Sequence, residues 1–117
     1  MSAFGRWDWE PLFVATERYV AAILQDPTFQ HPWTNLAYVF HLFGKKDAAT
    51  TYLSRSRSIA SDINDPGSNF RNVAQAIQRD AYLSGGSVRR PSLDSASRER
   101  LEKLLNAIDA VLAKRDN

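Results

Sequence analysis

The side chains able to do chemistry are few in this chain, and their spacing does not assemble a reaction centre. His31 and His41 are its two histidines. Their spacing turns them to different faces of a helix, and no HExxH pair or carboxylate cluster joins them as metal ligands. Cysteine is absent, which excludes disulfides, thiol catalysis and thiolate metal sites. Serines are plentiful, but none occupies a Gly-x-Ser-x-Gly elbow or pairs with a histidine base. Gly85-Gly86 lacks both the preceding strand and the following lysine of a phosphate-binding loop. With no acid, base and nucleophile set, the chain reads as a non-enzyme without cofactor or metal.

Arginine is the functional group left in quantity. Arg55, Arg57, Arg71 and Arg79, followed by Arg89 and Arg90, give the middle of the chain a modest cationic excess, and guanidinium forks suit phosphate oxygens. Asp62, Asp65 and Asp80 lie among them, which favours surface ion pairs and solvation over a nucleic-acid face. Arg89-Arg90-Pro91-Ser92-Leu93 has the paired arginines, spacer, serine and apolar residue preferred by basophilic kinases. Ser92 is therefore a candidate phosphosite near a helix start, where the helix dipole favours added negative charge.

The elements that must position these groups are all helical. Across 117 residues, 44% hydrophobic and 24% charged, the composition is that of a soluble globular chain forming a single domain over 1–117. The 15 cationic and 13 anionic residues are spread over both halves, too even a balance to imply nucleic acid. No charged leader with an apolar run, and no run long enough to cross a bilayer, is present, so the expected location is cytoplasmic.

Residues 1–10 carry Phe4, Trp7 and Trp9 and are expected to lie as an aromatic arm against the helices. Asp8, Glu10 and Pro11 mark the start of a first helix that runs to Gln25. Its apolar residues, Leu12, Phe13, Val14, Tyr19, Val20, Ile23 and Leu24, wrap most of the circumference and leave a polar patch around Thr16, Glu17 and Arg18. Asp26-Pro27 stops it. A second helix, from Pro32 to Gly44, is again apolar nearly all round, and ten of the thirteen aromatics fall within residues 1–43. These two helices are either the core or a surface that binds another chain.

A third helix over Asp47–Ile63 presents one apolar stripe, and Asn64-Asp65-Pro66-Gly67 turns the chain. A fourth over Ser68–Leu83 is expected to bury Phe70, Val73, Ala74, Ile77 and Ala81. The loop over 84–92 is Gly- and Pro-containing and flexible. A C-terminal capping helix over 93–115, beginning at Ser92 or Ser95, carries a narrow seam of Leu101, Leu104, Leu105, Ile108, Val111 and Leu112, with Arg98 and Arg100 among the residues facing water. Such a seam suits a terminal cap or a dimer interface, so a homodimer through the first, second or fifth helix is an expectation.

Trp33-x2-Leu36-Ala37-x2-Phe40, then Gly44, then Ala49-x3-Leu53, describes two helices folded back about a short turn. At this spacing the hairpin resembles a tetratricopeptide repeat, with Phe40 standing for tyrosine and Leu53 for the second aromatic. Ala37 stands where the pattern has glycine, Ser56 takes the next small-residue position, and the closing proline comes late at Pro66. The resemblance covers one repeat. It implies antiparallel helical hairpins, in a repeat-like array or a compact bundle of about five helices, and a groove holding a peptide or partner protein. Groove-facing positions carried over by the resemblance fall on His31, Thr34, Tyr38, His41 and Leu42. The leading expectation is a non-enzymatic adaptor. The first alternative is a small regulatory or immunity protein that blocks a toxin or enzyme through the arginine-bearing face of the third and fourth helices. The second is a nucleic-acid binder.

Overall fold

Several helix ends in the computed structural model, which describes residues 8–59, 69–84 and 92–115, follow from identifiable local chemistry. The helices are α1 (Glu10–Gln25), α2 (Gln30–Leu42), α3 (Lys46–Ile59), α4 (Asn69–Ser84) and α5 (Ser95–Arg115). No strand occurs among the described residues, and the fold is all-α as the sequence predicts. Phe4 and Trp7 of the arm, the Asn64–Gly67 turn and residues 85–91 of the loop lie outside the described residues.

Trp9, not Asp8, stands at the N-cap of α1, and its carbonyl accepts from Phe13 N at 3.0 Å. Asp8 Oδ1 instead accepts from Glu10 N at 3.0 Å, holding the chain just before the helix. At the other end Asp26 is extended ahead of Pro27, and its Oδ1 accepts from Thr28 N at 3.1 Å and Thr28 Oγ1 at 2.6 Å. This turn keeps the Asp26 carboxyl below its ordinary pKa, because both Thr28 donors prefer the charged form.

The α2–α3 turn is built on Gly44, whose φ of +82° only glycine adopts without strain. Gly44 N donates to His41 O at 3.0 Å and Lys45 N to Phe40 O at 2.9 Å. That is the Schellman closure, which satisfies carbonyls the helix end would otherwise strand. α5 is capped by Asp94 and by neither candidate serine. Asp94 Oδ1 accepts from Ser97 N at 2.8 Å, and its carbonyl accepts from Arg98 N at 2.9 Å.

α2 is the central element, packed on α1, α3 and α4. Trp33, Leu36, Ala37 and Phe40 have no exposed surface at all, so the residues that carry the repeat resemblance are the centre of the core. Around them Trp9 stacks on Phe43 at 5.2 Å, and Phe40 meets Tyr52 edge-on at 5.3 Å. Removing the Trp33 side chain would cost roughly 3–5 kcal/mol on this degree of burial.

α5 returns to α1, and among the described residues it makes no packing contact with α4. Arg100 meets Glu10 and Glu17 near the start of both helices, and Val111 adjoins Ile23 further along, so the two run parallel. Half of the α5 seam is thereby covered within the chain, with Leu101, Ile108 and Val111 buried in the same core as Phe13 and Ile23 and Leu104, Leu105 and Leu112 half-buried.

Four expectations are corrected. Thr16, assigned to a polar patch, is fully buried, because its Oγ1 donates to Leu12 O at 2.6 Å and needs no water. Val14 and Leu24, assigned to the apolar wrap, are exposed. Arg100, assigned to water, lies over the Phe13 ring. Phe70, Val73, Ala74 and Ile77 of α4 are half-buried, since α4 rests on α2 and α3 with nothing described covering its far edge. No helix among the described residues is long and apolar enough to cross a membrane.

Candidate partner-binding groove

Among the described residues α1, α3 and α4 pack on α2, and a stripe beside α4 is left uncovered. His31 begins it, exposed, with Phe29 edge-on at 5.8 Å. One turn on, Asn35 Oδ1 accepts from Asn69 Nδ2 of α4 at 3.1 Å, and the same Asn69 nitrogen lies 3.4 Å from His31 Nδ1. Tyr38 follows, 38% exposed, its ring stacked on His41 with centroids 6.4 Å apart. His41 closes the stripe at a cleft of about 200 Å³ shared with Lys46, Ala49, Thr50 and Leu53 of α3 and Ile77 of α4.

The contacts of Asn69 with the first turn of α2 and of Ile77 with its last make α4 parallel to α2. The two histidines, expected on different faces, therefore both border α4. Ten residues of helix leave roughly 80° between them, and they meet α4 at different points, His31 at Asn69 and His41 at the cleft it shares with Ile77.

The structure sets His31, Tyr38 and His41 along one side of α2, with Leu42 one turn after Tyr38, and leaves Thr34 out. Thr34 is buried, its hydroxyl hydrogen-bonded to Ser56 Oγ and 3.4 Å from Gln30 O. Ser56 Oγ also accepts from Gln30 Nε2 at 3.2 Å, so this polar trio ties α2 to α3. Leu42 also lines a cavity of about 590 Å³ between the α2–α3 turn and the start of α5, bounded by Trp9, Phe43, Lys45 and Leu101 as well. Ser92 is exposed at the edge of that cavity, while Arg89 and Arg90 of its motif lie outside the described residues.

Asn35, Lys46 and Ile77 join the site without having been singled out for it. Asn35 was legible, four residues after His31 and three before Tyr38 on one helical face. Asn69 carried no local signal, since its role depends on where α4 docks.

Of the arginines, Arg57, Arg71 and Arg79 are exposed. Arg55 is half-buried: its Nη2 donates to Pro27 O at 3.3 Å and its guanidinium lies 5.6 Å from the Trp33 ring centroid. Pro27 O accepts from Trp33 Nε1 as well, at 2.9 Å, so Arg55 serves the α1–α2 turn. Among the described residues no three His, Asp or Glu side chains gather into a cation site.

Comparison of the chain with protein-family models, curated proteins and solved structures returns no match. The chemistry of the groove is thus read from its own side chains.

Proposed function

We propose that this chain is a non-enzymatic interaction module that holds a peptide or partner protein in the valley between α2 and α4, working in the cytoplasm. One observation carries the reading. The stripe of α2 left uncovered by the described residues displays His31, Asn35, Tyr38 and His41, groups with hydrogen-bonding tips on flat or compact bodies, alongside an α4 whose apolar face is only half-covered. Such a surface offers both contact area and directional donors to an incoming chain. The tetratricopeptide resemblance supports the same placement for His31, Tyr38 and His41.

The rival reading, inhibition through the arginine face, is weakened by the use of Arg55 inside the fold. The test is affinity capture from the native source with wild type and a Tyr38→Ala/His41→Ala variant shown by circular dichroism to be folded. A partner held by wild type and lost by the variant is the expected result. A partner retained by the variant but lost on charge reversal at Arg57 would move the site to the arginine face.

A further inference from the structure

We infer that the cavity between the α2–α3 turn and the start of α5 is the docking site of the chain's own residues 1–7, with the Trp7 indole as the group seated in it. This site is separate from the α2–α4 valley and does not depend on it.

Connectivity selects the occupant. Trp9 is half-buried, its ring is stacked on Phe43, and it forms part of the cavity wall. Residues 1–7 therefore join the described structure at the wall itself. Two residues of chain span at most roughly 7 Å, so the Trp7 backbone is held about one side-chain length from the cavity. A partner in solution must supply its own concentration, whereas a segment tethered this closely is present at an effective level of about millimolar.

Lining and size fit an aromatic group. Trp9, Leu42, Phe43, Leu93 and Leu101 form the apolar wall. At about 590 Å³ the cavity falls within the roughly 300–1,000 Å³ range that encloses a drug-sized group, which leaves room for Trp7 and for Phe4 behind it. The rim sets Lys45 and Arg98 against Glu99 and Glu102, so the signs balance and apolar contact decides. An indole buries a flat apolar body and keeps one N–H for a rim carboxylate. Among the described residues α5 makes packing contact with α1 and with no other helix. The docked segment thus ties the start of α5 to the α2–α3 turn, on the side away from Arg100 and its carboxylates.

The test uses the full ¹⁵N-labelled chain with a nitroxide on Ser2→Cys, a unique attachment point because the sequence has no cysteine. The expected result is strongest amide broadening at Leu42, Gly44, Leu93 and Arg98. Trp7→Ala should largely remove that broadening and lower the melting temperature by roughly 4 °C. Ser92→Trp, which fills the cavity from an exposed rim position, should remove it with residues 1–7 intact. Strongest broadening at Tyr38, His41 and Ile77 would overturn the inference and make residues 1–7 an occupant of the valley. Broadening confined to the first turn of α1, or a profile unchanged by Trp7→Ala, would overturn it as well.

Discussion

Arg100 of α5 lies over the ring of Phe13 of α1, its guanidinium carbon 4.5 Å from the ring centroid. The same group donates through Nη1 and Nη2 to the two carboxylate oxygens of Glu10, at 2.8 and 3.2 Å, and through Nε to Glu17 at 3.0 Å. Only a planar fork with five donors can cap an aromatic face and grip two carboxylates at once. The start of α5 is fixed here, while Leu101, Ile108 and Val111 beneath it supply the buried area.

Arg100→Ala should cost about 1 kcal/mol, mostly from the lost cation–ring contact, because partly exposed ion pairs contribute little. That corresponds to a fall in melting temperature of roughly 4 °C for a chain of this size. Arg100→Lys should recover less than half of the loss. Leu101→Ala, which removes fully buried surface, should cost about 2–5 kcal/mol. Thermal melts followed by circular dichroism rank the three.

Acid should weaken the fold through carboxylates whose charged forms are held by donors. The Arg100 hydrogen bond lowers the Glu10 pKa, and the Ser97 backbone N–H lowers that of Asp94. A depressed folded pKa stabilises above the unfolded value and is lost as pH falls through the folded one. Urea midpoints should hold steady to about pH 4 and decline below it. Asp94→Asn keeps an N-cap acceptor and should flatten part of that decline.

The alkaline limb belongs to Tyr52. Burial, with a smaller contribution from Asp109, pushes its phenol well above the ordinary tyrosine range. Above about pH 10 the unfolded chain releases this proton while the folded chain keeps it, so stability falls as pH rises. Tyr52→Phe should flatten the slope in urea titrations between about pH 10 and 11. An unchanged slope would place the effect on other groups.

The helices were legible because their signals are local. Asp26-Pro27 and Gly44 stop α1 and α2 as read, and Trp33, Leu36, Ala37 and Phe40 declare the buried face of α2 by spacing alone. What was not legible depends on partners far along the chain. Arg100 looked like any charged residue on an amphipathic helix, since Glu17 and Glu10 lie 83 and 90 residues away. Thr34 looked available to a ligand until Ser56, 22 residues on, took its hydroxyl. The start of α5 was ambiguous for another reason. Ser92, Asp94 and Ser95 are all good caps, and only the backbone geometry chooses Asp94.

Gly44→Ala should destabilise by about 1 kcal/mol purely through the backbone. A Cβ built at Gly44 meets nothing within 4 Å, and its φ of +82° is the whole cost. Gly44→Asn should lose less, because asparagine tolerates the left-handed region better than alanine. Chemical denaturation of both variants separates strain from crowding, since crowding would make asparagine the worse of the two.

The Thr34–Ser56 pair decides whether α2 carries one functional stripe or two. Thr34→Val leaves the Ser56 hydroxyl with only Gln30 Nε2, and Ser56→Ala leaves the Thr34 hydroxyl with only the long contact to Gln30 O, so each should cost about 1 kcal/mol. Removing both hydroxyls together leaves neither stranded, and the double variant should be more stable than the two costs added, with a coupling of about 1 kcal/mol. Binding of a groove ligand should be unchanged in a folded Thr34→Val variant, because the side chain faces α3 and not α4. Additive costs combined with lost binding would return Thr34 to the groove and require α2 to rotate relative to α3.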